Sequence, residues 1–372
     1  MLKQWLRRTA ALLLSAVTLV TVAAAEQDPA PERHAVTWLL QWALGDCLPR
    51  GTLSLPAMLA LYQSPALLSA QPQVLAYMTE QQAETPAPPQ EQTASPSPAA
   101  PAVRQTAPRA ALAFQDNGVP SQTVLIRNTA GYTVVRGVCV KNASNKTLDA
   151  AALAAEGFAA RLTDSAPQVL ILHTHGSEAY IMPAGQEYVS TGTCRTSDTT
   201  KNVVRVGDEI ASVLSDYGIS VLHDRTLYDD PLYEGAYGRS VEGIEAYLEK
   251  YPSISFILDI HRDAVEDAQH RQYKLVSQED PNAAQISFVM GSNHDGWQEN
   301  LKLAIAISES ITAEHPTVMR PITLRNSNYN QHKSLGSMLV EVGAAGNSLD
   351  EALNSARIFA DSFARVLLTT KA

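Results

Sequence analysis

The chain has 372 residues and a formal net charge of -10, with 28 lysine and arginine residues against 38 aspartate and glutamate residues. This length allows one large domain or two ordinary ones, and the acidic balance argues against a protein that binds nucleic acid through a basic surface. The three cysteines, Cys47, Cys139 and Cys194, are widely spaced. They therefore provide neither a disulfide framework nor a Cys-x-x-Cys metal site.

The N-terminus has the layout of an export signal. The basic residues Lys3, Arg7 and Arg8 precede an uncharged run from Thr9 to Ala25, and a positive segment followed by an apolar one is typical of such signals. The run is close to the shortest length that spans a bilayer, and its final alanines also fit a cleavage site. We expect residues 1–26 to be a retained membrane anchor or a signal cleaved after Ala25. Either role places the rest of the chain on the extracytoplasmic side of the cell membrane.

Two further segments precede the main domain. Residues 27–80 contain short apolar stretches such as "AVTWLLQWAL", which favour a small helical, membrane-proximal segment. Residues 81–110 are rich in Pro, Ala and Gln and have few large apolar side chains to bury. Such a composition is typical of a disordered linker. We therefore expect the catalytic domain to occupy residues 111–372.

Beyond the linker, a strand-rich entry at 123–135 leads into apolar strands that alternate with amphipathic helices. We predict strands at 168–172, 219–224, 254–261, 285–293 and 337–343, and helices at 202–217, 238–251, 300–314 and 348–366. The last helix begins with a capping box, Ser348 to Glu351. The alternation predicts an α/β fold, with a mostly parallel sheet covered by helices on both faces.

Ionisable residues follow three of the predicted strands. The first strand ends in "HTHGSE", the third in "DIHRD", and the last in "LVEVG". Since the carboxyl ends of parallel strands meet at one edge of a sheet, we expect these groups to lie close together.

The three strand ends together predict a zinc site. A catalytic zinc ion takes three protein ligands and keeps one position open, and histidine with carboxylate is a common ligand set. His175 and Glu178 are three residues apart, so one turn can direct both at the same ion, and His261 supplies a ligand from a separate strand. His173 is the alternative first ligand. Glu341 fits the role of the base that takes a proton from water.

Four further residues are candidates for contact with an anionic substrate or with the oxyanion. They are Arg239, Arg262, Arg320 and Asn330. Ion pairing at the rim of the sheet explains these residues about equally well.

The stretches "LILHTHGSEAYIMP", "YPSISFILDIHRDA" and "SMLVEVGAAGNSLDEA" carry a specific resemblance. They resemble stage II sporulation protein P, a family of membrane-associated peptidoglycan hydrolases of endospore-forming bacteria, and the resemblance covers roughly residues 120 to 368. It implies an amidase-3-like zinc hydrolase fold and N-acetylmuramoyl-L-alanine amidase activity. It also implies a partner, a stage II sporulation protein D-like lytic transglycosylase. "HTHGSE" and "LDIHRD" match the family's ligand motifs, and Glu341 matches its catalytic glutamate.

The sequence thus predicts a zinc enzyme that cuts the amide between N-acetylmuramic acid and the L-alanine of the stem peptide during engulfment. Two alternatives stay open. A zinc carboxypeptidase acting on stem peptides uses the same ligands, with Arg320 or Arg325 receiving the free carboxylate. A non-catalytic module that binds the wall or a partner is the other, although it has no need for Glu341.

Overall fold

The computed structural model describes residues 109–155 and 157–371. These residues belong to one compact unit, Pro101–Ala372. The predictions for residues 1–26, for 27–80 and for nearly all of the linker 81–110 lie outside the described residues. Within the described part, no helix is both long enough and apolar enough to cross a membrane.

The described chain alternates strands and helices over most of its length. The strands are β1 Ser121–Gln122, β2 Thr133–Val135, β3 Val138–Ala143, β4 Val169–Leu172, β5 Val221–His223, β6 Phe256–Asp263, β7 Lys274–Leu275, β8 Ile286–Gly291, β9 Ile322–Arg325 and β10 Gly336–Ala344. The helices are α1 Ala150–Ala154, α2 Val203–Asp216, α3 Ala236–Lys250, α4 Trp297–Glu314 and α5 Leu349–Leu368.

Eight of these strands form one sheet in the order β2-β3-β9-β8-β10-β6-β4-β5. The block β10-β6-β4-β5 is parallel throughout, and so is the block β3-β9-β8. The two blocks meet at an antiparallel pairing of β10 with β8, and the edge strand β2 is antiparallel to β3. The predicted α/β fold with a mostly parallel sheet is therefore confirmed.

Both faces of the parallel block are buried, which explains its continuous apolar strands. In β4, Val169 and Ile171 point into the large core that also contains side chains of α2, α4 and α5. The alternate residues Leu170 and Leu172 face the opposite side, where they pack against Ile244 of α3. Because side chains alternate across a strand, one short apolar strand can serve two helical layers.

The helix ends follow local sequence signals. Asn202 caps α2 by accepting a hydrogen bond from the backbone of Val204. Before α5, Ser348 and Glu351 form the predicted capping box. Such caps bind backbone N–H groups that have no partner within the helix.

Candidate active site

The three motifs meet because β4, β6 and β10 are adjacent and parallel. The register pairs Leu172 of β4 with Asp259 of β6, and His261 of β6 with Glu341 of β10. The predicted ligands and the predicted base thus lie at one edge of the sheet, at the carboxyl ends of three neighbouring strands.

His261 lies between two carboxylates. Its Nε2 is 2.9 Å from Oδ1 of Asp259, and its Nδ1 is 3.3 Å from Oε2 of Glu178. Burial by itself would lower the pKa of His261, but the two carboxylates outweigh it and raise that pKa well above its ordinary value. Asp259 also accepts hydrogen bonds from the backbone N–H and the hydroxyl of Thr174, at 2.8 and 2.6 Å. A fixed carboxylate behind His261 leaves Nδ1 directed at Glu178.

Glu178 is a buried carboxylate surrounded by positive groups. Its Oε2 accepts a hydrogen bond of 3.1 Å from the backbone N–H of Arg262. Its Oε1 lies 3.3 Å from the Arg195 guanidinium and 3.6 Å from that of Arg262. Burial opposes ionisation of Glu178, but Arg262, His261 and Arg195 lower its pKa to about 2. The carboxylate is therefore ionised at neutral pH, as a metal ligand must be.

His175 has a ring nitrogen that is buried but not satisfied. Its Nδ1 has no hydrogen-bond partner, and the nearest carboxylate oxygen, on Asp229, is 3.9 Å away. The imidazole stacks on Tyr233, with ring centroids 4.4 Å apart and an interplanar angle of 12°. The ring of His261 lies 5.4 Å away and nearly perpendicular. Burial lowers the pKa of His175, which favours the neutral imidazole that metals bind.

His173, the alternative ligand, has no ring nitrogen left for a metal. Its Nδ1 donates to the carbonyl oxygen of Ile260 at 3.0 Å, and its Nε2 lies 2.8 Å from Nε2 of His223. Burial and the neighbouring His223 lower the pKa of His173 to about 3. These contacts connect the ends of β4, β5 and β6, so His173 supports the site while His175 keeps a free nitrogen.

Glu341 has the electrostatic environment of a general base. Its Oε2 is enclosed and has no hydrogen-bond partner, although the residue as a whole is partly exposed. Burial raises the pKa of this carboxyl to about 8, with Glu178 and Asp263 adding to the effect and His261 opposing it. The metal-free protein therefore keeps Glu341 largely protonated at neutral pH, and the positive charge of a bound metal ion would favour the carboxylate that can accept and return a proton.

Two of the substrate candidates, Arg239 and Arg262, donate hydrogen bonds to backbone carbonyl oxygens. The guanidinium of Arg239 donates to the carbonyl oxygens of Tyr228, Leu232 and Glu234. Arg262 donates from Nε to the carbonyl oxygen of Ala179 at 3.1 Å, and from Nη2 to that of Cys194 at 3.0 Å. Both arginines therefore shape loops around the site in this structure.

The other two candidates differ from each other. Arg320 binds Asp263 at 2.7 Å through Nη1, whereas its Nε and Nη2 are enclosed and have no partner. Asn330 donates to the carbonyl oxygen of Tyr237 and to the hydroxyl of Ser240, at 2.9 and 3.0 Å. Arg320 therefore retains free donors near Glu341, while the Asn330 amide is already engaged.

Three residues of the site had no recognisable signal in the sequence, namely Arg195, Asp229 and Tyr233. Arg195 bridges the two sides of the site, because it binds Asp229 at 2.6 Å as well as Glu178. Its guanidinium also lies over the ring of Tyr233, 4.9 Å from the centroid. These contacts join loops that are distant along the chain, so no spacing rule could have revealed them.

The side chains at the three strand ends suit a zinc ion by their chemistry. Among the described residues, no group of three histidine, cysteine or carboxylate side chains already has the spacing of a metal site. The donor chemistry nevertheless fits, because two imidazoles and an ionised carboxylate form a common catalytic zinc set. His261 contacts carboxylates through both ring nitrogens, so it would have to give up its proton to bind the metal. The orphaned Nδ1 of His175 is the observation that supports this fit, since buried polar atoms without partners are rare.

Comparison with known proteins gives the family and related structures. The sequence model of the Stage II sporulation protein P family (SpoIIP) matches residues 71–364. The curated Stage II sporulation protein P of Bacillus subtilis (strain 168) is 25% identical over 209 residues, which are 53% of this chain and 50% of that protein. The match thus spans about half the length of that relative.

Among solved structures, the N-acetylmuramoyl-L-alanine amidase AmiC2 of Nostoc punctiforme is similar with a TM-score of 0.34 and 16% identity, covering 55% of this chain and 97% of that one. The CwlD amidase from Clostridioides difficile, solved in complex with the GerS lipoprotein, has a TM-score of 0.36 and 12% identity, covering 54% of this chain and 98% of that one. The family match extends over most of the sequence and contains all three strand-end motifs. The chain therefore belongs to the Stage II sporulation protein P family.

Proposed function

We propose that this protein is a zinc-dependent N-acetylmuramoyl-L-alanine amidase that cleaves peptidoglycan during sporulation. The observation that carries the proposal is the meeting of His175, Glu178 and His261 with Glu341 at one sheet edge. That edge combines a catalytic zinc ligand set with a carboxylate whose pKa burial raises to about 8. Family membership connects this chemistry to sporulation.

In the proposed reaction, Glu341 is the residue of the chain that transfers a proton. Zinc, when held by His175, Glu178 and His261, supplies the Lewis acidity that activates water and polarises the scissile carbonyl. Glu341 accepts the proton of the attacking water as its oxygen bonds to the lactoyl carbonyl carbon. Glu341 then gives that proton to the L-alanine nitrogen as the carbon–nitrogen bond breaks. The products are a lactoyl carboxylate on the sugar and a stem peptide with a free amine.

Arg320 is the residue best suited to contact the substrate near Glu341. Its Nε and Nη2 have no partner but are enclosed in this structure, so they can donate to a carboxylate or carbonyl oxygen of the stem peptide once the side chain or its neighbours move. The same donors favour a second candidate function, a carboxypeptidase that binds the terminal carboxylate of the stem. The products of the two reactions differ, because only the amidase releases the whole stem.

We further propose that the enzyme works on the extracytoplasmic side of the cell membrane, with the apolar segment before Ala25 as an anchor or export signal. Its proposed partner is a stage II sporulation protein D-like lytic transglycosylase, which would cleave glycan strands stripped of their stems. Support for both proposals comes from the N-terminal charge pattern and from family membership.

The test is a digest of purified peptidoglycan by the full chain, with and without a chelator, followed by mass spectrometry of the soluble products. We expect free stem peptides that begin with alanine, lost on chelation and restored by zinc. Stems shortened only at the C-terminus would replace the amidase with the carboxypeptidase. If the zinc-loaded chain and the partner together release nothing, the protein is a binding module.

A further inference from the structure

The rim of the site next to His175 presents an exposed apolar segment. Leu232 and Tyr233 precede α3 and are 62% and 52% exposed, although both are large apolar side chains. The Tyr233 ring lies flat against the imidazole of His175, 4.4 Å from it. A ligand that covered the exposed part of Tyr233 would therefore lie within one ring-stacking distance of the proposed zinc ligand.

Three contacts hold this ring in place before any substrate arrives. His175 stacks on it, and the guanidinium of Arg195, itself bound to Asp229, lies 4.9 Å from its centroid. Arg239 binds the backbone on both sides of Tyr233, at the carbonyl oxygens of Leu232 and Glu234. A preorganised surface loses little conformational entropy on binding, which is typical of a built subsite.

The charges around the ring select the kind of ligand. Tyr233 is flanked along the chain by Asp229, Asp230 and Glu234. Asp229 is paired with Arg195, and Arg239 lies against the backbone of Leu232 and Glu234, so the two arginines offset two of these three negative charges and leave the surface around the ring close to neutral. The Tyr233 side therefore suits the uncharged part of the substrate.

We propose that Tyr233, extended by Leu232, is the subsite for the N-acetylmuramic acid ring next to the scissile amide. This proposal rests on the proposed amidase function. A pyranose ring presents a face of C–H bonds, and the face of an aromatic ring is electron-rich, so the two stack favourably in water. The sugar then lies on the His175 side of the site, which fixes the direction of the substrate across it.

The experiment compares two substrates that share the scissile amide. One is N-acetylmuramoyl-tripeptide, and the other is the D-lactoyl-tripeptide that lacks the sugar. The full chain is assayed as wild type, as Tyr233→Ala and as Tyr233→Phe. Tyr132→Ala is the matched control, because Tyr132 immediately precedes β2 at the opposite edge of the sheet. Zinc content is measured for every variant, and binding of the muramoyl compound is measured by calorimetry in the Glu341→Gln background.

For Tyr233→Ala we expect the KM for the muramoyl substrate to rise roughly fivefold to tenfold, from the loss of one stacking contact. The KM for the lactoyl substrate should change less than the KM for the muramoyl substrate, and Tyr233→Phe should restore the wild-type preference between the two substrates. Tyr132→Ala should leave both KM values unchanged. Equal effects on both substrates, no effect on either, or loss of zinc from Tyr233→Ala would overturn the proposal.

The calorimetric binding measurement distinguishes a wrong subsite proposal from a wrong amidase proposal. If the zinc-loaded wild type cleaves neither substrate, the amidase function is wrong, and calorimetry alone decides the subsite. Weaker binding of the muramoyl compound after Tyr233→Ala would then still support the sugar subsite. Unchanged binding would reject it.

Discussion

A single carboxyl group, Glu341, has the environment that hydrolysis requires of a base. Its Oε2 is enclosed without a partner and it lies beside His261 in the sheet register. Replacing Glu341 with Gln keeps the shape of the side chain but removes its ability to accept a proton. We expect the Glu341→Gln variant to bind zinc as wild type does and to lose roughly 100-fold or more of its amidase activity. Metal analysis and a rate assay on the same preparation check this, and a variant with more than a tenth of wild-type activity would contradict it.

The raised pKa of Glu341 also predicts how the stability of the chelated, metal-free protein depends on pH. The folded protein keeps this proton up to a pH of about 8, whereas the unfolded chain releases it near 4.5. Between these values the folded state binds more protons, so this group makes stability fall as pH rises. Between pH 5 and 8, the melting temperature of the wild type should fall relative to that of Glu341→Gln. If the melting temperatures of the two proteins change with pH in parallel, burial does not keep Glu341 protonated.

Asp259 acts on the site through His261. Its Oδ1 lies 2.9 Å from Nε2 of that histidine, and carboxylates behind ligand histidines commonly contribute 10-fold to 100-fold to metal affinity. We expect Asp259→Asn to weaken zinc binding by about that factor, as measured by competition with a chromophoric chelator. Asp267→Asn is the control, because Asp267 pairs with the exposed Arg271 instead. Equal zinc affinities for the two variants would show that Asp259 does not position His261 for zinc binding.

For single residues, the sequence indicated which types of side chain meet at the site. It did not indicate which of His173 and His175 keeps a free ring nitrogen. The residue types and spacing of "HTHGSE" and "DIHRD" predicted the groups that do meet. The separation of His173 from His175 depends on Ile260 and His223, which approach only after β4, β5 and β6 pair. Such long-range hydrogen bonds leave no periodic trace in the sequence.

Two glycines in consecutive helices should respond oppositely to the same substitution. A Cβ on Gly207 in α2 would lie 2.6 Å from Nε2 of His223 and 2.7 Å from Nε2 of His173, whereas one on Gly238 in α3 would meet nothing within 4 Å. We expect Gly207→Ala to destabilise the protein by about 1–3 kcal/mol through overpacking. Gly238→Ala should stabilise it by roughly 0.5–1 kcal/mol through helix propensity. Denaturant titrations measure both, and a stable Gly207→Ala protein would refute the tight packing of the histidine pair.

The elements with strong periodicity were predicted well, and the short ones were not. The helices α2, α3, α4 and α5 lie close to their predicted positions, since each has a long amphipathic pattern or a clear cap. The short strands β1, β3, β7 and β9 and the short helix α1 were missed. The apolar stretches of these strands are brief, and the strands form by pairing with each other or with β8. Tertiary contacts, rather than local propensity, determine such elements.

At the scale of the whole molecule, the site depends on the parallel block β10-β6-β4-β5, which brings the three motifs to one edge. The alternation of strands and helices was enough to predict this convergence. It was not enough to predict the reversal at β8, which pairs antiparallel to β10. Strand direction across a pairing depends on how the connecting segments pass over the sheet, and a strand buried on both faces, as β8 is, has the same apolar pattern in either direction. The site was predictable because all three of its strands lie on the same side of that reversal.

Heavy-oxygen labelling can show whether this chain hydrolyses the amide between the lactoyl group and L-alanine, as we propose. The zinc-loaded full chain would be incubated with N-acetylmuramoyl-tripeptide in H₂¹⁸O, and the products would be weighed by mass spectrometry. We expect one heavy oxygen in the lactoyl carboxyl of N-acetylmuramic acid and an unlabelled tripeptide, with neither product formed by Glu341→Gln. A heavy oxygen in the carboxyl of a shortened peptide still attached to the sugar would contradict it, because water would then have attacked the wrong amide.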